Sequence, residues 1–216
     1  KRKNWISTNW ADDDNDDAKE HLGKTVRLLD YACGTGMVSR ALGPYITQSI
    51  GIDLSENMVA QYNLRASNQG LSSSEMVAYQ GNLLNRDDPK PASLESPEFY
   101  NFDMAAVGLG FHHFDDPGLA AKRLAERLKP GGVLLIIDFM PHAPEQVHGG
   151  RGHDHGHGGN GHAKDARHTV THHGFSEDQV KKMFVDAGVE KEFAFQTIGD
   201  GVVFVRGGGE EDMRRT

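Results

Sequence analysis

Apolar positions along the chain gather into short runs separated by amphipathic stretches, the pattern of strands covered on both faces alternating with helices covered on one. VRLLDYA, from Val26 to Ala32, reads as a buried parallel strand that runs into a glycine-rich turn. Met37 to Leu42 then predicts a short helix, and Ser49 to Asp53 a second buried strand. Ser55 and Glu56 open a helix that extends to about Ser67, with Met58, Val59, Tyr62 and Leu64 expected against a sheet. Glu75 to Gln80 predicts a third strand, and the stretch from Asn82 to Pro97, rich in Pro, Ser, Asp and Asn, predicts mostly loop. Phe102 to Gly108 reads as the fourth strand, and Pro117 to Leu128 as a helix that turns Leu119, Leu124 and Leu128 inward. Lys129-Pro130-Gly131-Gly132 stops that helix and leads into the most apolar strand, Val133 to Phe139.

The rhythm breaks between Pro141 and Gly174, where nine of the chain's twelve histidines lie among many glycines. Such a composition supplies no packed face, so this stretch reads as an insertion. Order returns with a helix from Ser176 to Ala187, capped by Ser176 and turning Val180, Met183, Phe184 and Ala187 inward. Two further strands, Phe193 to Ile198 and Val202 to Val205, are expected across a hairpin at Gly199-Asp200-Gly201. Strand and helix alternation of this kind implies a parallel sheet with right-handed crossovers and helices on both faces, with ligands outside the carboxyl ends of the strands.

Composition narrows the picture. A chain of 216 residues suits one domain with tails: an acidic tail over residues 1–23, the domain over 24–207 with the insertion at 141–174, and a tail over 208–216. The acidic tail carries Asp12, Asp13, Asp14, Asp16 and Asp17 and offers little to bury. A net charge of −8 with dispersed Lys and Arg argues against general nucleic-acid binding. Cys33 is the only cysteine, so no intrachain disulfide can form and an intracellular setting, cytoplasm or nucleus, is expected. No run is long and apolar enough to predict a membrane span. The sequence begins at Lys1 rather than Met, and an N-terminal cover over the site is expected to precede it.

Chemistry concentrates at the ends of the predicted strands. Asp30-Tyr31-Ala32-Cys33-Gly34-Thr35-Gly36 places an acid and two glycines at the first turn, and Asp53 closes the second strand. Glycine lets a backbone approach a ligand, and the N–H groups at the following helix start can face an anion. A nicotinamide dinucleotide site shares the acid about 20 residues after a glycine turn. Three features oppose it: Ser39 stands where the third glycine of that fingerprint belongs, Asp30 would set negative charge beside a pyrophosphate, and LKPGG precedes the fifth strand.

Together the first turn, Asp53 and LKPGG resemble the class I methyltransferases, from about Val26 to Val205, and most closely their small-molecule branch with the ubiquinone-pathway enzymes. The chain is also similar to small fungal methyltransferases, some of which act in complexes that influence development, secondary metabolism or histone methylation. The resemblance implies a single Rossmann-like domain of seven strands in the order 3-2-1-4-5-7-6, the last antiparallel, and S-adenosylmethionine as cofactor with S-adenosylhomocysteine as product. Many members have glycine where Ala32 stands. By resemblance, Asp30, Ala32, Cys33, Gly34 and Gly36 surround the methionine part, Asp53 accepts bonds from the ribose hydroxyls, Leu54 and Met58 flank adenine, and Asn82 with Leu83 meets its edge. Gly108 to Phe114 would line the space beside the methyl group, where His112 or His113 is a candidate base or pocket residue, and His173 a candidate acceptor contact. The acceptor is expected to be a small molecule or a protein, with a regulatory or binding subunit of a protein complex as the alternative reading. His148, His153, His155, His157 and His162 could chelate a metal, but a glycine-built tract lacks the fixed scaffold of a structural site, so no metal is expected.

Overall fold

The computed structural model describes residues 25–141 and 171–199. Within them five parallel strands form one sheet in the order β3-β2-β1-β4-β5: β1 (Arg27–Tyr31), β2 (Gln48–Asp53), β3 (Met76–Gln80), β4 (Phe102–Gly108) and β5 (Leu128–Ile137). Four helices accompany them: α1 (Met37–Leu42), α2 (Glu56–Asn68), α3 (Pro117–Ala125) and α4 (Glu177–Asp186). The alternation along β1 shows how the layers are assigned. Leu29 and Tyr31 face a core shared with Ile52, Val107, Ala121 and Leu124 of α3, and Phe184 of α4. Leu28 faces the other way, onto Val38 of α1, Met104 and Ala106. Cys33, Met76 and Ala78 pack with Tyr62 and Ala66 of α2.

The order matches the 3-2-1-4-5 part of the expected sheet, and one of the remaining two strands requires correction. Phe193–Ile198 is not a strand: Phe193 and Phe195 pack against the core as irregular chain, and Ile198 is exposed. In the expected order this segment pairs only with the strand at Val202–Val205, which lies outside the described residues along with part of the hairpin turn. A strand without a ladder partner has no hydrogen bonds to define it. The acidic tail, residues 142–170 of the insertion with its five-histidine tract, and the C-terminal tail also lie outside the described residues.

Two helix faces differ from expectation. In α2 the sheet-facing stripe is Val59, Tyr62 and Ala66; Leu64, about 200° around the helix from Tyr62, is exposed, and so is Met58 in the first turn. Helix α3 ends at Ala125 rather than Leu128. Arg127 is buried there, its guanidinium bonded to the Leu94 carbonyl at 2.5 Å and Glu95 at 2.9 Å, and Leu128 already pairs with Phe102. The next pair is Met104 with Val133, so Lys129 to Gly132 bulges out of the ladder. Helix α4 begins with a capping box: Ser176 Oγ accepts from Gln179 N–H and Gln179 Oε1 accepts from Ser176 N–H. Ser176→Ala is expected to lower stability by about 1 kcal/mol, read from urea unfolding.

Candidate active site

The sheet order reverses between β1 and β4, so the crevice at the carboxyl ends of the strands opens between the loops that follow them. These loops touch: a Cβ at Gly110 would lie 3.0 Å from Ala32 Cβ. Ala32, Gly34 and Gly36 all adopt positive φ, at 53°, 51° and 83°, which turns the chain sharply from β1 into α1. The two glycines serve different ends. Gly36 packs against α2, since a Cβ there would lie 2.9 Å from both Tyr62 and Met76 side-chain atoms. Gly34 has nothing within 4 Å in the Cβ direction, so its backbone faces open space.

Asp53 at the end of β2 braces this loop from the side. Its Oδ2 accepts Gly34 N–H at 2.8 Å and its Oδ1 accepts Ser55 N–H at 2.8 Å. Each carboxylate oxygen can accept more than one hydrogen bond, so the same group retains capacity for a pair of ligand hydroxyls. Leu54 is 69% exposed and Met58 42%, which leaves an apolar surface beside the carboxylate. Met37, Leu109 and Met140, at the same edge, are exposed as well. Asn82 sits at the end of the next strand, where its Oδ1 accepts Leu84 N–H at 2.8 Å and lies 3.4 Å from Tyr31 Oη. Leu83 is buried in the core and its N–H donates to Tyr31 Oη at 3.1 Å. Gly108 lies under α1, where a Cβ would meet Val38 Cγ2 at 2.4 Å.

Asp30 is on the opposite face of β1 from Tyr31, beneath the turn. Its Oδ2 accepts both the N–H and the hydroxyl of Ser39, at 3.1 and 2.6 Å, and Ser39 is linked to Ser49 and Tyr62. The carboxyl therefore ties β1 to the start of α1. Burial pushes it up to about 7, against the Ser39 hydrogen bonds that lower it. The folded chain then holds a proton that the unfolded chain has already released, so stability falls as pH rises from about 4 to about 7. Asp30→Asn removes that dependence: its stability relative to the native chain should improve between pH 4 and pH 8, by up to a few kcal/mol. An equal difference at both pH values in urea unfolding would contradict the buried charge. Burial also pushes the Cys33 thiol up, above its ordinary range, which keeps it protonated and unreactive.

His112 and His113 lie in a short turn after β4. His112 is buried and His113 exposed, with ring centroids 4.1 Å apart. Asp138, just past β5, lies with Oδ1 2.7 Å from His112 Nδ1. The chain returning from the insertion reaches the same place: Thr171 and His172 N–H both donate to the His112 carbonyl, at 3.1 and 3.0 Å. His172 Nε2 is buried without a hydrogen-bond partner among the described residues, and the neighbouring His173 is exposed. Sequence reasoning passed over Asp138, although its signal was present in IIDFM: an acid ending an apolar strand, as Asp30 and Asp53 do. A cavity of about 440 Å³, lined by Ser39, Arg40, Thr47, Ser49, Glu75 and Met76 among others, lies at the amino ends of β2 and β3, away from these groups.

A family model described as a methyltransferase domain matches residues 29–134. The chain is 30% identical over 181 residues to an uncharacterized methyltransferase of Schizosaccharomyces pombe, covering 83% of this chain and 59% of that protein. It is 32% identical over 120 residues to a demethylmenaquinone methyltransferase of Staphylococcus aureus, covering 53% of this chain and 44% of that enzyme. In both cases it spans less than two thirds of the relative's length. Among solved structures, a candidate methyltransferase from Bacillus halodurans shares the fold with a TM-score of 0.52 at 18% identity, over 76% of this chain and 62% of that one.

Proposed function

We propose that this chain, similar to methyltransferases over residues 29–134, is a class I methyltransferase that binds S-adenosylmethionine and methylates a small organic or protein acceptor. The observation that carries the proposal is the bond between Gly34 N–H and Asp53 Oδ2, in a loop whose Gly34 opens onto free space. A carboxylate held beside a bare backbone suits a ligand with a diol at one end and an amino acid at the other. Asp53 would accept the ribose hydroxyls, Leu54 and Met58 would flank adenine, and the loop from Ala32 to Gly36 would follow the methionine part. Asn82 and the backbone of Leu83 would approach the adenine edge, and Gly108 would let α1 close over the methionine end. Asp30, bonded to Ser39, would support the loop from beneath rather than touch the ligand. The bound cofactor supplies a methyl group on a sulfonium, ready for in-line displacement.

What remains for the chain's own residues is to align the acceptor, exclude water and take up a proton where the acceptor carries one. His112, His113 and His173 are the groups at hand. No helix among the described residues is long and apolar enough to cross a membrane. The single buried thiol of Cys33 fits an intracellular setting.

Methyl transfer from labelled S-adenosylmethionine into a cell extract, separated into protein and small-molecule fractions, tests the activity and sorts the acceptor class. Label in one fraction above a no-enzyme control is the expected result. Label in neither, from protein that still binds the cofactor, would favour a binding subunit over an enzyme.

A further inference from the structure

Cofactor binding as proposed makes no use of Asp138, yet this side chain is among the most fully engaged in the crevice. Its Oδ2 accepts Phe111 N–H at 2.9 Å and His112 N–H at 3.1 Å. Its Oδ1 accepts Phe139 N–H at 2.8 Å and faces His112 Nδ1 at 2.7 Å. Three backbone donors converge on the group and fix it as an acceptor. The hydrogen in the fourth contact must then come from His112 Nδ1, which leaves the lone pair of the ring on Nε2. Both side chains are withdrawn from water, at 9% and 3% exposure, so the other tautomer would set the Nδ1 lone pair against a buried carboxylate oxygen. Packing holds the ring as well: Phe139 lies 5.3 Å from it by centroids and His113 4.1 Å.

We propose that Asp138 is a positioning residue that holds His112 in the Nδ1–H tautomer, so that Nε2 takes the proton of a hydroxyl or N–H acceptor during methylation. The proposal rests on the methyltransferase reading above and narrows its acceptor to one that must lose a proton. The acceptor oxygen or nitrogen bonds to the methyl carbon as the carbon–sulfur bond breaks, and that electron pair stays on sulfur. The acceptor's proton passes to His112 Nε2, and the imidazolium is stabilised by the Asp138 carboxylate until the proton leaves to water. This arrangement separates the two adjacent histidines, with His112 as the base and the exposed His113 as a wall of the pocket.

Nitrogen-15 NMR of the cofactor-free chain reads the tautomer without any turnover. The neutral His112 ring should carry its hydrogen on Nδ1, and a ring with hydrogen on Nε2 would overturn the proposal. The second arm is a double-mutant cycle on labelled methyl incorporation into cell extract. Asp138→Asn and His112→Gln should each lower the rate by about 100-fold or more. The double variant should stay within about threefold of His112→Gln, because Asp138 acts through His112. Losses that multiply in the double variant would show that Asp138 only braces the loop, and would overturn the proposal. S-adenosylhomocysteine affinity should hold within about threefold in all three variants. If the unaltered chain binds no S-adenosylhomocysteine, the methyltransferase reading fails, while the tautomer still decides whether Asp138 positions the ring.

Discussion

Asp53→Ala should weaken S-adenosylhomocysteine binding by about 100-fold, on the order of 3 kcal/mol. Two effects combine in that loss. The ribose hydroxyls lose a charged acceptor, and each such hydrogen bond is worth roughly 1.5 to 3 kcal/mol. Gly34 N–H and Ser55 N–H also lose the partners that hold the loop beside the second strand. Asp53→Asn separates the effects, because the amide keeps one acceptor oxygen and the shape of the side chain but gives up the charge. Its affinity should lie between the native chain and the alanine variant. Calorimetric titration of the three proteins checks the order. Equal affinities would remove Asp53 from the ribose site.

Gly174→Ala should cost on the order of 3 kcal/mol in stability, the largest effect expected outside the cofactor loop. Gly174 has φ +93°, and a Cβ there would lie 2.2 Å from the Met140 carbonyl oxygen and 2.7 Å from that of Phe139. The obstacle is backbone rather than a side chain that could swing aside. Beside Gly174, Phe175 N–H donates to the Phe139 carbonyl at 2.9 Å and its ring is buried against Phe111 at 5.3 Å between centroids. Displacing this segment would also strip the His112 carbonyl of its two donors, Thr171 and His172. Urea unfolding with hydrogen exchange at Phe175 measures both the loss and its location. A variant within about 0.5 kcal/mol of the native chain, with Phe175 still protected, would contradict this close approach.

The central strands were legible because burial on both faces writes them as short, mostly apolar runs, and β4 falls on the very residues expected, Phe102 to Gly108. The capping signal at Ser176 was equally plain, since it depends only on residues three apart. Pairing beyond the fifth strand was not legible, because Phe193 and Phe195 look the same in sequence whether they join a ladder or merely cover a core. The end of α3 was misplaced because Leu128 continues the helical stripe while Arg127 turns inward to bond Leu94 and Glu95, a long-range demand that local periodicity does not record. At the site, the acids and glycines stood out by residue type, but their division of labour did not. Only packing shows that Gly36 is bare for Tyr62 and Met76 while Gly34 faces open space. Asp138 belonged to a visible series with Asp30 and Asp53, and its partner His112 lies 26 residues away, a pairing that only the adjacency of β4 and β5 creates.

Titration of the unaltered chain with S-adenosylhomocysteine in a calorimeter addresses the central assignment most directly. The account predicts saturable binding at one site per chain, with an affinity in roughly the micromolar range typical of enzyme ligands. Folded protein that shows no saturable heat and no rise in thermal stability with either form of the cofactor would contradict it.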